Sequence, residues 1–328
     1  MTVSYVYSRP ERVSEETAAR VRTAARALGY PGPHPTARSL RRGRTGTLGV
    51  VLGERLSYAF DDPQAARFLA GVADVCAAQG VGLTLVPITG AASDVDRVAA
   101  AVVDGFVVWT TSDDDPVLDA VADRGLPAAV HAGPHRRGLP VVGIDDRAAA
   151  AAIGRVAFAG ARRPVVLGFP LDRARERALL DGTAVPPVRF PVTRNRWEGF
   201  RAAWQQAGAA AELRLAVCPV NDAAEGEAFA AELLGGDEPP DAVAAMSDEL
   251  ALGVLRAAGR AGLAVPEALA VTGWDDSDAA ASAGLTTLAQ SLREQGARCA
   301  RVALELPAGT RAAPDWRVVV RTTTRPTR

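Results

Sequence analysis

The chain has 328 residues, of which 48% are hydrophobic and 23% charged, and its formal net charge is -1. This length suggests two or three domains with sizeable cores, and the composition is ordinary for a globular protein in solution. The sequence has no apolar run long enough to predict a membrane span and no basic segment followed by an apolar core that would predict a signal peptide. Its three widely spaced cysteines argue against a disulfide framework and fit a reducing cytoplasm.

The small net charge hides a basic N-terminal arm. Residues 1–47 contain nine Arg and three Glu, whereas the rest of the chain carries 28 Arg against 35 acidic residues. Such an arm suits a polyanion, because neutralised phosphates release counterions and this release supplies most non-specific affinity. The excess of positive charge is equally compatible with a solvated N-terminal tail, so charge alone does not decide whether the chain binds nucleic acid.

The first predicted elements are two short helices followed by a linker. Residues 2–7 have the pattern of a short helical piece, and Ser14 can cap a second helix with its apolar residues on one face. Gly29 ends this helix, and several prolines then keep the chain from being helical. We interpret residues 31–46 as a linker with one or two turns of conditional helix starting near Pro35.

From Thr47 onward, short apolar runs alternate with helical stripes. Runs such as TLGVVL, GFVVWT and PVVLGF predict buried strands, and the segments between them carry apolar residues at helical spacing. This alternation predicts parallel sheets covered by helices on both faces, in two successive series that form two α/β lobes. Ligands of such sheets bind beyond the carboxyl ends of the strands, so the cleft between the lobes is the expected site.

The sequence contains no assembled catalytic or metal-binding motif. It lacks the G-x-S-x-G elbow, both phosphate-cradling glycine loops and the His and Cys spacings of zinc sites. Aspartates cluster at residues 113–115, 145–146 and 275–276, where they could bind a metal, although helix caps and loop turns explain them better. We therefore expect neither an enzyme nor a cofactor.

A resemblance to a known family rests on five segments in a fixed order: ERVSEETAARVRTAARALGY, ARSLRRGRTGTLGVV, NRWEGFRAAWQQAGA, MSDELALGVLRAAGRAGLAVPEALAVTGWDD and GLTTLAQS. With them the chain closely resembles, over nearly its whole length, the lactose/galactose repressor family of bacterial transcription regulators. The resemblance implies a small all-α helix-turn-helix headpiece and a hinge helix. It also implies a two-lobed α/β core of the type I periplasmic-binding-protein kind, which dimerises and binds a small effector, usually a sugar or nucleoside.

The resemblance divides the chain into a headpiece, a hinge and two core lobes that exchange segments near the C-terminus. The implied parts are a partial headpiece at 1–30, a hinge at 31–46, a first lobe at 47–160 plus about 290–312, and a second lobe at 161–289 plus about 313–328.

The recognition helix implied by the resemblance is incomplete in this chain. In the family it reads approximately V-S-x-x-T-V-S-R-V-L-N; residues 2–4 match its T-V-S, and Tyr5 stands where Arg is common. Without the preceding helix and turn, Val3 and Val6 would face a missing partner, and so small a unit has little burial to spare. Either the headpiece is broken or upstream residues complete it; the retained downstream features favour the second explanation.

Roles at the DNA also follow from the resemblance. Leu40 on the hinge helix would wedge into the minor groove at a central base step; the alternative is that it packs on the core. Neighbouring arginines would contact phosphates without reading the sequence. The candidate DNA-binding residues are Thr2, Ser4, Tyr5, Ser8, Arg9, Ala37, Arg38 and Leu40.

Effector contacts are implied at the cleft. Arg196 matches an R-x-x-G-F motif whose guanidinium can hold two hydroxyls or a carboxylate, a surface ion pair being the alternative. Asp275 follows a strand, where a carboxylate can accept from two neighbouring hydroxyls. Asp248 could instead cap the helix that follows, and rings at strand ends, Trp109 among them, could be core filling. The candidate effector-binding residues are Tyr58, Phe60, Arg196, Ser247, Asp248, Trp274 and Asp275.

Together these observations predict a cytoplasmic, homodimeric transcriptional regulator, most simply a repressor, that binds operator DNA and responds to a small effector. Effector binding would close the lobes, separate the hinge segments and change operator affinity. The alternative is a sugar-binding sensor with the same core that does not bind DNA specifically.

Overall fold

The computed structural model describes most of the chain as helices and strands joined by short loops. No helix in this part of the chain is both long and apolar enough to cross a membrane. The described residues are 2–8, 10–30, 43–53, 58–208, 211–308 and 315–326, with only the backbone described for Ser8, Pro10, Tyr58 and Ala59.

The N-terminal unit consists of two helices joined by a 3-10 turn. Helix α1 (Thr2–Ser8) leads through the turn Pro10–Arg12 into α2 (Glu15–Ala27). As predicted, Ser14 caps α2, with its side-chain oxygen accepting a hydrogen bond from the Thr17 amide at 3.4 Å.

The expectation that both valines of α1 lack a partner is wrong for one of them. Val6 is 3% exposed, whereas Val3 is 53% exposed. Helix α1 contacts α2, and the ring of Tyr7 meets the ring of Tyr30 edge-on at a centroid distance of 6.0 Å. The second helix therefore covers one face of α1, and only the Val3 side stays open.

The first lobe is a parallel sheet with helices on both faces. Its strands lie in the order β2-β1-β3-β4-β5, so that β1 is central and was correctly predicted as buried. The bounds are β1 (Thr47–Leu52), β2 (Gly82–Pro87), β3 (Gly105–Trp109), β4 (Ala128–His131) and β5 (Val141–Val142), with helices α3 (Tyr58–Asp61), α4 (Pro63–Gln79), α5 (Ser93–Ala100) and α6 (Pro116–Asp123).

The second lobe is a larger sheet in the order β12-β11-β10-β9-β6-β8-β7, parallel except at its two edges, where β7 and β12 pair antiparallel. Its strands are β6 (Pro164–Gly168), β7 (Ala178–Asp181), β8 (Arg214–Val217), β9 (Ala242–Ala245), β10 (Ala270–Asp275), β11 (Thr286–Gln290) and β12 (Trp316–Val319). The remaining helices are α7 (Asp146–Ala157), α8 (Pro191–Gln206), α9 (Ala223–Gly235), α10 (Asp248–Arg260), α11 (Asp278–Ser282) and α12 (Leu292–Ala303).

The boundary between the lobes lies earlier than the predicted residue 160. Helix α7 packs against α8, and its Ala150 and Ile153 belong to the core of the second lobe. The chain therefore crosses between β5 and α7, and it returns with α12, which packs against α4 of the first lobe. The alternation of strands and helices predicts α7 but not which sheet it covers, because an apolar stripe fits either.

Candidate functional site

The carboxyl ends of the two sheets meet at one cleft. Asn221, after β8, donates through Nδ2 to Oδ2 of Asp62, which lies between β1 and α4, at 2.8 Å. Asp62 also caps α4 through the amides of Gln64 and Ala65. Ser247, after β9, donates to the Asn221 side-chain oxygen at 2.5 Å. We call Asp62, Asn221 and Ser247 the bridge, because they join the lobes along one side of the cleft.

A second set of contacts between the lobes is formed by three consecutive aspartates after β3, which pair with arginines of the second lobe. Arg194 donates to Asp113 with both of its terminal nitrogens, the longer distance being 3.4 Å, and Arg189 lies 3.8 Å from Asp114. The Asp113 amide also donates to the Arg189 carbonyl at 2.9 Å. We call the clasp the set formed by residues 113–115 of the first lobe with Arg173, Arg189 and Arg194 of the second.

Arg196 is buried among residues of the second lobe. Its Nε donates to Asp146 Oδ1 at 2.8 Å and its Nη1 donates to the Met246 carbonyl at 2.6 Å. The guanidinium carbon lies 3.9 Å from the centroid of the Trp274 ring. With Arg196 6% exposed, the alternative of a surface ion pair is wrong: the pair with Asp146 is internal and stacked on an aromatic face.

Asp275 ends β10 in a conformation that few residues adopt. Its φ is 112°, in the region that favours glycine, and such strain concentrates at functional sites. The side chain is buried and accepts a hydrogen bond from Gln290 Nε2 at 2.7 Å. Burial raises the pKa of the Asp275 carboxyl well above its ordinary value, while the positive charge of Arg196 opposes that shift.

Ser247, and not Asp248, caps α10. The Ser247 hydroxyl accepts from the Leu250 amide at 3.1 Å, so the helix-cap interpretation of Asp248 is wrong. Asp248 instead accepts from the Ser277 amide at 2.7 Å and from the Thr287 hydroxyl at 2.6 Å. Burial raises the pKa of the Asp248 carboxyl to about 6. Asp248 thus connects the start of α10 to the loop after β10 and to strand β11.

The aromatic candidates divide between the core and the surface. Trp274 is fully buried beneath Arg196. Trp109 stacks on Phe68 at a centroid distance of 4.7 Å and joins the first-lobe core, which settles its open role in favour of core filling. Phe60, expected in the cleft, is 67% exposed, because α3 is a short surface helix. The side chain of Tyr58 lies outside the described residues.

The candidate DNA-binding residues fall mostly at or beyond the limits of the described structure. Thr2 on α1 is exposed, and Ser4 and Tyr5 are half-buried. The side chain of Ser8 is not described, and four further candidates lie outside the described residues: Arg9, Ala37, Arg38 and Leu40.

Polar residues that sequence reasoning missed also lie at the strand ends. His131, the last residue of β4, is buried, and burial lowers its pKa to about 4. His131 Nδ1, Thr111 Oγ1 and Trp274 Nε1 are enclosed, and none has a hydrogen-bond partner among the described residues. His131 and Trp274 lie at the carboxyl ends of β4 and β10, and Thr111 follows β3, so these atoms belong to strand ends of both lobes. A polar residue directly after an apolar run, as in PAAVH, is the signal that could have found His131.

Two residues of the aspartate clusters cap helices. Asp115 and Asp145 cap α6 and α7 through side-chain hydrogen bonds to Val117 and Ala148, as the helix-cap interpretation has it. Across the described part of the chain, no three His, Cys, Asp or Glu side chains converge on a point that could hold a metal ion.

Comparison with known proteins identifies the family. A model of the periplasmic binding protein-like domain matches residues 159–327. The HTH-type transcriptional regulator Rv3575c of Mycobacterium tuberculosis is 38% identical over 312 residues, covering 93% of this chain and 87% of the relative. IpsA of Corynebacterium glutamicum, also an HTH-type transcriptional regulator, is 36% identical over 314 residues, covering 93% and 87%.

Solved structures agree with this assignment. A LacI-family transcriptional regulator from Corynebacterium glutamicum superposes with a TM-score of 0.75 at 29% identity, over 99% of this chain and 95% of that one. The complex of the regulator CelR with cellobiose superposes with a TM-score of 0.66 at 25% identity, over 98% and 94%. These relatives are regulators and not enzymes, and the chain belongs to the lactose/galactose repressor (LacI) family of HTH-type transcriptional regulators.

Proposed function

We propose that this protein is a cytoplasmic, homodimeric repressor whose affinity for operator DNA is controlled by a small, neutral, hydroxyl-rich effector bound in the cleft, of the sugar or nucleoside class. The two-lobed core would bind the effector and respond to it, and the N-terminal helices with their basic arm would contact the DNA. Asp248 would act by shaping the site, while Arg196, Trp274 and Asp275 would meet the effector.

The observation that carries this proposal is the set of buried polar atoms without partners on both sides of the cleft, on Thr111, His131 and Trp274. Each unpaired buried donor or acceptor costs about 1–3 kcal/mol. A ligand that supplies matching hydroxyls would recover this cost only when both lobes contact it. Such a ligand favours the closed arrangement by its differential contacts, which is what a switch requires.

The charges in the cleft favour a neutral effector. Arg196 is the cation at its centre, and it is already paired with Asp146. Asp275 adds a second carboxyl beside it. An anionic ligand would therefore meet more carboxylate than free positive charge, whereas hydroxyl groups can donate to the carboxyl oxygens.

A structural relative supports the sugar class. CelR, 25% identical to this chain, is solved with cellobiose bound. We extend only the class of ligand to the present chain, because the residues that line the cleft set the identity of the sugar.

The test uses the full chain and its own upstream DNA, with a fluorophore on the DNA. Cellobiose, ribose and cytidine are each titrated into this mixture, and ligand binding and DNA affinity are measured. We expect at least one of these ligands to bind and to change DNA affinity. Asp275→Asn should weaken binding of that ligand by about tenfold or more, because a charged hydrogen bond contributes about 1.5–3 kcal/mol. Asp237→Asn is the matched control, since Asp237 is exposed in the loop before β9, at the end of the sheet away from the cleft.

DNA affinity that stays identical with every ligand and with none would contradict the proposal. Ligand binding without any specific DNA binding would instead support a sensor that uses the same core.

A further inference from the structure

A chain of three hydrogen bonds joins the two lobes. His131 Nε2 lies 2.9 Å from Gln295 Oε1, Gln295 Nε2 donates to Gln290 Oε1 at 3.1 Å, and Gln290 Nε2 donates to Asp275 Oδ1 at 2.7 Å. His131 ends β4 of the first lobe, and Gln295 lies on α12, which packs on that lobe. Gln290 and Asp275 end neighbouring strands of the second lobe. The chain thus connects one wall of the cleft to the other.

The direction of these bonds is fixed from the Asp275 end. Gln290 donates from Nε2 to Asp275 Oδ1, an oxygen that accepts in this arrangement whether or not Oδ2 carries a proton, so Gln290 presents its own oxygen to Gln295. Gln295 must then present its NH₂ group to Gln290 and its oxygen to His131. An amide oxygen cannot donate, so the proton of the imidazole must be on Nε2.

The imidazole has only one proton to place. Burial keeps His131 neutral, with its pKa lowered to about 4, and a neutral imidazole has one donor nitrogen and one acceptor nitrogen. The ring is held in place by Phe68, at a centroid distance of 4.7 Å, and by the edge of Trp109 at 6.2 Å. With the proton on Nε2, Nδ1 keeps its lone pair, and Nδ1 is the enclosed atom that has no partner among the described residues.

We propose that Gln290 and Gln295 are positioning residues that set the carboxyl group of Asp275 and the tautomer of His131 together, so that both walls of the cleft present acceptors to hydroxyl donors of one ligand. The first part concerns the chain alone. The second part rests on the proposed function, because it supposes an effector in the cleft.

The tautomer is measured directly by two-bond ¹⁵N–¹H correlation spectra of the full chain with labelled histidine. The sequence contains three histidines, so the changes His34→Gln and His135→Gln leave His131 as the single signal. We expect the Nε2–H pattern. An Nδ1–H pattern would overturn the proposal, and it can be recognised without any ligand.

Two variants of Gln290, which does not contact His131, separate a relay from simple packing. Gln290→Leu removes the acceptor that orients Gln295, so the His131 signal should change to a mixture of tautomers. Gln290→Glu offers a carboxylate oxygen to the same Gln295 NH₂ group, so the Nε2–H pattern should be retained. A His131 spectrum unchanged in Gln290→Leu would overturn the relay. If Gln290→Leu does not fold, Gln290→Glu decides, because loss of the Nε2–H pattern there has the same meaning.

The ligand part is tested with whichever of cellobiose, ribose or cytidine binds the wild type. Gln290→Glu replaces the donor to Asp275 by a repelling carboxylate, so binding should weaken about tenfold while the His131 tautomer stays as it is. Equal binding by Gln290→Glu and wild type would overturn the positioning of Asp275. If none of the three binds the wild type, the proposed effector class fails, and the spectra still decide the relay.

Discussion

At the scale of single residues, burial turns charged side chains into connectors. Arg196 and Asp146 have side chains 8% and 5% exposed, and Arg196 also holds the Met246 carbonyl and the face of Trp274. A buried ion pair gains little over an apolar pair, but removal of one partner leaves an uncompensated charge. The Asp146 carboxyl that orients Arg196 therefore destabilises the folded protein when Arg196 is removed.

Replacement of Arg196 by Met should lower the free energy of unfolding by about 3 kcal/mol near neutral pH, because Asp146 is then buried without its partner. Denaturant unfolding monitored by circular dichroism measures this. Arg147→Met is the control on the facing helix: its pair with Glu198 spans 3.7 Å between exposed side chains, so the loss should stay below about 1 kcal/mol. Equal losses in the two variants would show that the buried pair has no special role.

Asp248 predicts a pH dependence with a definite sign. Its pKa in the folded protein is raised to about 6 by burial, whereas an unfolded Asp titrates near 3.9. Between these values the native state binds a proton that the unfolded state does not, so stability increases as pH falls. Relative to Asp248→Asn, the wild type should gain about 2 kcal/mol between pH 7 and pH 4. Unfolding curves at a series of pH values test this, and a gain in the opposite direction would refute the assignment.

The sequence predicts some site residues well and others not. Arg196, Trp274 and Asp275 follow from a motif and from strand ends, and the structure brings them together. The role of Phe60 in the cleft stays a prediction: its ring is 67% exposed on a four-residue helix, and a position in a loop does not determine which way the ring turns. Gln290 and Gln295 could not be found, because their roles depend on hydrogen bonds to Asp275 and His131 that only the fold brings about.

At the scale of elements, helices approach each other closely where glycine permits it. A Cβ atom at Gly253 on α10 would lie 2.5 Å from the Glu227 amide nitrogen and 2.7 Å from the Gly226 carbonyl carbon of α9. These are backbone atoms, which cannot rotate away as a side chain does. The crossing of α9 and α10 therefore depends on the missing side chain.

Gly253→Ala should destabilise the protein by about 1–3 kcal/mol through overpacking. Gly259→Ala on the same helix is the matched control, since nothing lies within 4 Å of its Cβ position, and alanine there should stabilise by about 0.5–1 kcal/mol. Thermal unfolding of both variants gives opposite shifts in Tm on this account. A shift in the same direction for both would mean that α9 moves freely to admit the methyl group.

Which elements could be predicted depends on how much of each is buried. Interior strands such as β1 and β6 are mostly apolar and almost fully buried, and they were found from their composition alone. The antiparallel edge strands β7 and β12 were not found, because each is four residues long and alternates or half-exposes its side chains. The lobe assignment of α7 failed for a different reason, since the crossing point between lobes leaves no mark on helical periodicity.

At the scale of the whole molecule, the bridge and the clasp are two sets of side-chain contacts that join the lobes. The bridge is a hydrogen-bond chain through Asn221 that ends on the Asp62 carboxyl. The clasp consists of ion pairs whose side chains are partly exposed, except that of Asp115, which is buried. Exposed ion pairs contribute little individually and are screened by salt. The clasp therefore suits a closure that a ligand can reinforce and that a domain motion can release.

Reversal of one clasp charge tests whether it sets the closure of the lobes. Asp113 and Arg194 have side chains that are each 33% exposed, so Asp113→Arg loses an ion pair of about 0.2–1 kcal/mol and adds repulsion. We expect a larger radius of gyration in small-angle scattering of the full chain at low salt, with the difference reduced at high salt. Asp119→Arg is the control, because Asp119 pairs at 3.7 Å with Arg136 within the same lobe. Identical scattering from the two variants would mean that the lobes are closed by the bridge and by apolar contacts, and that the aspartate triplet only decorates the rim.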